Sequence, residues 1–302
     1  MTLNKMKILF IGTVDFSYSC LEHLIKHNFK LCGVITKKQS KFNSDFKDLT
    51  PLCEKNNIPY FFDEKANKQT KEEFIANNSP DIIYCFGWSY LLPQSVLKGA
   101  KYGVIGFHPA LLPNNRGRHP IIWAIFLGLE NTGSTFFEMD EGADTGDIIS
   151  QREIKITTQD DASSLYAKIK TTALEQIIEF SMRYEKEGKI AQKRSQDKNT
   201  GNSWRKRGLI DGRIDFRMCT IAIYNLVRAL THPYVGAHIE TEQGDIKVWE
   251  VSTAEMEYPI NFEPGKVLDI LDKNKIVVKT YDGAIILTNH EFLEIPEINT
   301  YL

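Results

Sequence analysis

Two residues of this 302-residue chain could carry acid–base chemistry, because each stands in a loop that follows a predicted strand. His108 begins a loop with three prolines, and Asp144 lies in an acidic, glycine-rich loop after the run Ser134–Met139. A histidine exchanges a proton near neutral pH, and a carboxylate beside it orients the ring and stabilises its charged form. Either residue alone is equally compatible with a structural role. The pair of loops is the more specific signal, and it predicts a catalytic site.

The elements that would position these loops are indicated by alternating patterns in the first half of the chain. Short β-branched or aromatic runs, each typical of a strand, lie at Lys7–Ile11, Leu31–Thr36, Pro59–Phe62, Asp81–Phe86, Gly103–Phe107 and Ser134–Met139. Stretches with helical spacing separate most of them, which predicts an α/β fold with a mostly parallel sheet covered by helices. Ligands bind at the carboxyl ends of such strands, so we expect both loops to lie over one crevice.

The turn after the first predicted strand argues against a nucleotide-phosphate loop, and the cysteines argue against a disulfide framework or a zinc site. Residues 12–17 contain one glycine and an acid, and they match neither the dinucleotide nor the P-loop phosphate pattern. The five cysteines are scattered without a C-x-x-C pair, so neither a disulfide framework nor a thiolate zinc site is supported. No apolar run approaches the length of a membrane helix, and no signal peptide is evident. We therefore expect a cytoplasmic protein without a membrane partner.

Charge is distributed unevenly along the chain. The formal net charge is −2, yet residues 186–217 contain ten Lys or Arg and only four Asp or Glu. A long amphipathic helix is predicted over 162–187, and short strands separated by Gly, Asp and Asn turns follow the basic segment. We therefore predict a first domain at residues 1–190, a basic linker at 191–208 and a β-rich domain at 209–302. A solvated linker that is basic by accident is the alternative interpretation of the charge.

Two motifs together resemble a known family. His108–Gly117 and Met139–Asp147 are similar to the patterns H-x-[SA]-L-L-P-x-x-R-G and M-D-x-G-x-D-[TS]-G-D of the N10-formyltetrahydrofolate-dependent formyltransferase superfamily. The resemblance extends to Phe86–Pro93 and, beyond the linker, to Asp211–Phe216 and Ile223–Ala237. It therefore covers most of the chain.

This resemblance implies a Rossmann-like catalytic domain followed by a smaller β-rich domain that is OB-like or an open barrel. It also implies N10-formyltetrahydrofolate as co-substrate, without a metal. His108 would stabilise an oxyanion or relay the proton of the attacking amine, and Asp144 would orient His108. The folate-binding positions implied are Phe86, Gly87, Trp88, Leu92, Asp140, Gly142 and Ala143. The substrate-binding positions implied are Asn114, Arg116, Gly117, Arg205, Lys206, Asn225 and Arg228.

One position departs from the family pattern. Most members carry an asparagine two residues before the histidine as a further oxyanion donor, and here that position is Gly106. Losing such a donor costs about 2.7–4 kcal/mol of transition-state stabilisation. Asn114, Asn115, His119 or a water could replace it, and we favour Asn115 as the third catalytic residue. A folate-binding relative without catalytic activity is the alternative.

The distribution of charge along the chain limits which class of amine is expected to accept the formyl group. Acidic residues crowd the second domain, whereas the basic patch at Trp204–Arg207 has a size suited to one diphosphate. We therefore expect a nucleotide-linked amino deoxysugar as substrate, with a UDP-linked 4-amino sugar favoured and a place in lipopolysaccharide or other glycan biosynthesis. The diphosphate would lie at the junction of the domains, and no nucleic acid is expected as a partner. Methionyl-tRNA formyltransferase is the main alternative, and a homodimer is left open.

Overall fold

The β-branched and aromatic runs of the first half of the chain form strands, as predicted. The structure of the chain, a computed structural model, describes residues 5–39, 44–64, 70–188, 193–197, 199–242, 244–254, 259 and 261–302. The elements of the first part are, in chain order, β1 (Lys7–Ile11), α1 (Asp15–Lys26), β2 (Lys30–Thr36), α2 (Thr50–Lys55), β3 (Tyr60–Phe62), α3 (Lys71–Asn78), β4 (Ile82–Cys85), α4 (Gln94–Leu97), β5 (Val104–His108), β6 (Arg116–Gly117), α5 (Pro120–Phe126), β7 (Asn131–Glu138), β8 (Ile148–Lys155) and α6 (Ala162–Glu187). The six predicted strands agree with these bounds to within three residues at either end. β8 was not predicted, because its apolar residues are interrupted by Ser, Gln, Arg and Glu.

A seven-stranded sheet carries the predicted catalytic residues. Its strand order is β3-β2-β1-β4-β5-β7-β8, and the neighbours from β3 to β5 pair in parallel. The mostly parallel α/β prediction is therefore confirmed. β7, however, runs antiparallel to β5, with His108 opposite Thr135 and Ile105 opposite Glu138.

This antiparallel pair corrects one expectation. The loop after β7 begins at the amino end of β5 and not at a carboxyl end, so the two catalytic loops do not leave the sheet at the same edge. Sequence patterns do not encode the direction of a strand, since a strand reads the same way in either orientation. Residues 140–147 must fold back to approach His108.

The centre of the sheet is an aromatic cluster that fixes β4 and β5. Phe86 is fully buried, and its ring lies 5.6 Å from Phe10, 5.3 Å from Tyr84 and 5.1 Å from Phe136 between centroids. Edge-to-face and offset contacts of this kind are the favoured aromatic geometries. Phe107 of β5 stacks on Phe16 in the same way, at 4.3 Å. Phe107 also contacts Phe136, its partner on β7, at 4.9 Å, so the aromatic cluster packs against the strand that ends at His108 on one face of the sheet.

A second, antiparallel sheet lies in the last part of the chain. The elements after α6 are β9 (Ser203–Trp204), a single 3-10 turn (Leu209–Gly212), α7 (Thr220–Leu230), β10 (Ala237–Thr241), β11 (Gly244–Thr253), β12 (Val267–Leu271), β13 (Lys275–Lys279) and β14 (Ala284–His290). The sheet has the order β10-β11-β14-β13-β12, and α7 buries an apolar face against it. This confirms the β-rich second domain. In the described part of the chain β10 and β12 are the two ends of the sheet, so it is open.

Packing divides the chain into two units. The first contains Met1–Pro120, Thr132–Ile154 and Ala167–Trp204, and the second contains Ile121–Asn131, Lys155–Tyr166 and Arg205–Leu302. Residues 191, 192 and 198 of the predicted linker lie outside the described residues, and the domain boundaries stay a prediction. Among the residues that the structure describes, no helix combines the length and the apolar composition needed to cross a membrane.

Candidate active site

The predicted histidine and aspartate are brought together. His108, at the end of β5, is 4% exposed, and its Nδ1 lies 3.5 Å from Oδ2 of Asp144. The same Oδ2 accepts the backbone N–H of Gly117 at 2.9 Å. Asp144 thus joins the loop after β7 to the loop after β5. Its backbone is left-handed, with φ +59°, a conformation that disfavours most side chains and is tolerated best by Gly, Asn and Asp.

Both ring nitrogens of His108 face acceptors. Nε2 lies 2.7 Å from the carbonyl oxygen of Asn115, and a carbonyl can only accept, so Nε2 carries the proton in the neutral ring. Nδ1 then presents a lone pair to the Asp144 carboxylate. When Nδ1 is protonated as well, both nitrogens donate to an acceptor. The surroundings therefore suit a histidine that gains and loses a proton during a reaction.

A segment from the predicted linker lies along the His108 loop. We call residues 193–197 and 199–204 the strap. The Asn202 side chain accepts the backbone N–H of Asn115 at 2.9 Å, and the Asn202 carbonyl accepts that of Arg116 at 3.0 Å. β9, at the end of the strap, pairs in parallel with β6. The backbone of the His108 loop is thus hydrogen-bonded to a segment about ninety residues later in the chain.

Arg116 and Gly117 contact the strap in the structure, whereas both are predicted to bind substrate. Arg116 is buried, and its guanidinium donates to Gln196 Oε1 at 3.0 and 3.3 Å and to two carbonyls of the strap, those of Asp197 and Thr200. Gly117 has φ +97°, and a Cβ there would lie 2.4 Å from the carbonyl oxygen of Trp204. Both residues therefore hold the strap. Asn114 is exposed, which is compatible with ligand contact.

Gln196 was missed by the sequence analysis. Its side chain is 9% exposed, and Nε2 donates to the carbonyls of Asp144 and Gly146 at 3.0 and 2.6 Å. Its Oε1 accepts from Arg116. A single glutamine in a polar segment carries no periodicity that would have marked it.

The position of the missing asparagine is filled by apolar side chains. A Cβ on Gly106 would lie 2.8 Å from Cγ of Met139 and 2.9 Å from Cζ of Phe137. The Met139 thioether thus lies where a side chain at position 106 would begin. The departure from the family pattern is therefore coupled to the packing of β7, and the lost donor leaves no gap.

Replacing Gly106 by asparagine should accordingly lower stability. Overpacking a filled site costs about 1–3 kcal/mol, and we expect the low end because the Met139 side chain can rotate. The measurement is the free energy of unfolding in urea. Gly208→Asn is the matched control, since a Cβ there meets nothing within 4 Å. Equal stability of the Gly106→Asn variant and the wild type would contradict this account, and Met139→Ala should relieve the Gly106→Asn defect.

The predicted folate positions form two neighbouring segments. Gln94 Nε2 donates to Glu141 Oε1 at 2.7 Å, which joins the segment after β4 to the segment after β7. Trp88 and Met139 pack against one apolar cluster. The indole Nε1 of Trp88 is buried and makes no hydrogen bond within the described residues.

At three of the predicted folate positions the side chain is buried or hydrogen-bonded within the protein. The Phe86 side chain is fully buried and Leu92 is 8% exposed, so neither ring nor isobutyl group presents a surface to a ligand. Asp140 Oδ1 accepts from Gly142 N at 3.0 Å and from Thr145 Oγ1 at 2.6 Å, which shapes the turn. Gly87, with φ +69°, Gly142 and Ala143 remain backbone or small-residue candidates.

The predicted diphosphate residues belong to the second unit, where they differ in availability. Arg205 is exposed but pairs with Asp211, and this guanidinium holds the pKa of Asp211 well below its usual range. Arg228 donates to Asn225 Oδ1 at 2.8 Å and to the carbonyls of Thr157 and Asp160, and burial lowers its pKa. Arg228 and Asn225 therefore serve a helix-to-turn contact. Lys206 is exposed.

Arg207 belongs to the predicted basic patch at Trp204–Arg207, but it is only 7% exposed and therefore buried. Its guanidinium lies 4.7 Å from the Trp123 ring and 5.0 Å from the Phe126 ring. Burial lowers the pKa of this guanidinium. Elsewhere, no group of three or more His, Cys, Asp or Glu side chains in the described ranges could hold a metal ion.

Known proteins resemble the chain over nearly its whole length. Family models match it over residues 6–180, described as formyl transferase, and over residues 209–299, described as formyl transferase, C-terminal domain. The methionyl-tRNA formyltransferase of Sulfurihydrogenibium sp. (strain YO3AOP1) is 33% identical over 300 residues, which are 98% of this chain and 95% of that relative.

Two solved structures share the fold. The N-formyltransferase from Helicobacter canadensis, in complex with folinic acid and dTDP-3-aminofucose, has a TM-score of 0.70 at 19% identity, over 93% of this chain and 98% of that one. WlaRD, a sugar 3N-formyl transferase, has a TM-score of 0.68 at 20% identity, over 97% and 100% of the two chains. At these identities the likeness concerns the fold alone.

Proposed function

The chain belongs to the formyl transferase family, and on that premise we propose that it formylates the amine of a nucleotide-linked amino deoxysugar. Because it belongs to this family, the chain is an N-formyltransferase that uses a formyl-folate as donor. The finer proposal is that the donor is N10-formyltetrahydrofolate and that the product is a formamido sugar used in glycan synthesis. The observation that carries the choice of acceptor is the charge of the second domain.

The reaction requires one proton transfer and one stabilised oxygen. The formyl-folate supplies a formyl carbon bonded to nitrogen. The acceptor's amine forms a new C–N bond to that carbon, the bond to N10 breaks, and the amine loses a proton while N10 gains one. We assign the proton transfer to His108, whose ring is buried between two acceptors. Asp144, 3.5 Å from Nδ1, would stabilise the charged ring.

The formyl oxygen gains negative charge during the reaction and needs a hydrogen-bond donor. We assign this donor to the side chain of Asn115. Its backbone N–H and C=O are both used, by Asn202 and His108, while its carboxamide makes no hydrogen bond within the described part of the chain. The backbone is thereby fixed and the carboxamide is available to a ligand. Electrostatic stabilisation depends on donors of this kind that are already oriented before the reaction.

Replacing Asn115 by aspartate tests this assignment. The substitution keeps the size and the tolerance for φ +63°, but it removes the N–H donors. We expect kcat to fall by about 10²- to 10³-fold. Asn299→Asp is the matched control, since Asn299 also has a left-handed backbone, with φ +72°, and lies in the second unit. A wild-type kcat for Asn115→Asp would contradict the assignment.

The acceptor proposal follows from the distribution of charge. Residues 221–302 contain six Lys or Arg and thirteen Asp or Glu. Affinity for a long polyanion grows with the number of phosphates that a protein neutralises, so this domain is poorly suited to tRNA. The cations lie just before it, and exposed Arg205 and Lys206 are the proposed contacts of one diphosphate. The guanidinium of Arg228, bound to carbonyls, is not among them.

Transfer to methionyl-tRNA is the second candidate, and a specific observation favours it. The relative at 33% identity carries that name and is matched over 95% of its own length. The activity named for that relative is therefore the direct alternative to the sugar proposal.

The two candidates are separated by one set of assays. The purified protein is incubated with N10-formyltetrahydrofolate and a panel of UDP- and dTDP-linked 3-amino and 4-amino sugars, with initiator methionyl-tRNA in parallel. Mass spectrometry detects the addition of one CO unit to the acceptor. We expect a formamido product with at least one nucleotide sugar, with a shallow dependence of KM on salt.

Formylation of methionyl-tRNA alone, with a steep dependence on salt, would instead support the second candidate. The His108→Ala protein serves as the control for uncatalysed transfer. Stabilisation of the protein by folate and nucleotide sugar without any product would indicate a binding protein and contradict both candidates.

A further inference from the structure

Gln196, we propose, is a positioning residue for formyl transfer, because it fixes the left-handed turn at Asp144 and thereby the distance between Asp144 and His108. It acts through Asp144 and is not assigned any contact with substrate. The inference rests on the family's activity and not on the identity of the acceptor.

The carboxamide of Gln196 joins three parts of the site. Its Nε2 donates to the carbonyls of Asp144 and Gly146, and its Oε1 accepts from Nε and Nη2 of Arg116. Both donors and one acceptor of the amide are thus used. Arg116 is fixed in turn by the carbonyls of Asp197 and Thr200, so the amide cannot rotate without breaking several bonds.

The turn that Gln196 holds is unfavourable by itself. Asp144 has φ +59°, and a Cβ on Gly146 would lie 1.7 Å from the carbonyl oxygen of Glu138, so this backbone is pressed against β7. The carbonyls of residues 144 and 146 converge on one side-chain nitrogen. Without that donor two carbonyls would lack a partner, and the turn could relax toward a common backbone conformation.

Relaxation of this turn would act on the His108 ring. Asp144 Oδ2 is already 3.5 Å from Nδ1, at the long end of an effective ion pair, and it also accepts from Gly117. A small displacement of the backbone would lengthen the separation further. Misplacement of a catalytic group by about 1 Å can cost about 10²-fold in rate.

The test is the substitution Gln196→Ala, with kcat, KM and the ¹⁵N shifts of the His108 ring as readouts. We expect kcat to fall between about tenfold and about a hundredfold while KM for the formyl donor changes little. The chain has seven histidines, and the His108 signals are assigned by their loss in His108→Ala. In Gln196→Ala the Nδ1 signal should move toward its position in Asp144→Asn.

Two further variants make the result specific. Gln176→Ala is the matched control, because this fully buried glutamine also donates to a carbonyl, that of Ser134, and to a hydroxyl, that of Ser150. It should lose stability but retain kcat and the His108 shifts. Gln196→Glu keeps the volume but offers no N–H₂ group to the two carbonyls, and it carries the test if the alanine variant does not fold.

The proposal is overturned by any of three results in a folded variant. One is a wild-type kcat without the Gln196 carboxamide. Another is a fall in kcat with the His108 signals unchanged, which would separate Gln196 from the His108–Asp144 pair. A lower melting temperature that Gln176→Ala reproduces together with the same loss of kcat would also contradict it.

Discussion

Replacing His108 by alanine is expected to abolish measurable formyl transfer, which corresponds to a loss of about 10³-fold or more in kcat. The His108 ring is the group to which we assign the proton transfer, and it is buried between Asp144 and the Asn115 carbonyl. Alanine can neither accept the amine's proton nor donate to a developing negative charge. The measurement is the rate of product formation at saturating donor and acceptor.

The matched control is His290→Ala. The ring of His290 also has Nε2 at 2.7 Å from a backbone carbonyl, that of Asn274, but it lies in the sheet of the second unit. We expect its removal to leave kcat unchanged. Near-normal turnover by His108→Ala, under conditions in which donor and acceptor bind normally, would remove His108 from the mechanism.

The second large effect is expected for Asp144→Asn, which should lower kcat by about 10²- to 10⁴-fold. Asparagine tolerates φ +59°, and its Oδ1 can still accept the backbone N–H of Gly117, so the loop should keep its shape. What disappears is the negative charge beside Nδ1 of His108. The variant therefore separates the electrostatic role of the carboxylate from its role in folding.

Asp272→Asn provides the corresponding control, because Asp272 also has a left-handed backbone, with φ +49°, in the second unit. Its kcat should equal that of the wild type. If Asp144→Asn retains wild-type kcat, the charge of Asp144 is unnecessary and the pair with His108 is structural. KM for the donor provides the second readout, and we expect a smaller change in it than in kcat.

Local structure could be predicted where a repeating pattern had enough length or burial to be visible. β1, at Lys7–Ile11, was predicted at its observed bounds because it is a continuous apolar run, and α6, at Ala162–Glu187, because its apolar residues recur at helical intervals. His108 and Asp144 could be identified because a motif surrounds each of them. β8 was missed because polar residues interrupt its pattern at the edge of the sheet.

The rest of the site depends on contacts between distant segments, which no local pattern records. The antiparallel direction of β7 decides where its following loop begins, and the sequence of β7 is silent about direction. Arg116 was assigned to substrate binding only through the family resemblance, yet the strap buries it. Gly106 was recognised as unusual, but only the structure shows that Met139 occupies the adjoining space.

The strap also bears on how the protein can be divided into fragments. A first domain that ends at residue 190 would retain every strand of the large sheet, with both His108 and Asp144. It would lack Gln196 and Asn202, the groups that hold the turn at Asp144 and the backbone of Asn115. Such a fragment could keep its sheet and still be a poor catalyst. The shortest chain that carries both contacts therefore ends no earlier than Asn202, beyond the point at which composition alone would place the boundary.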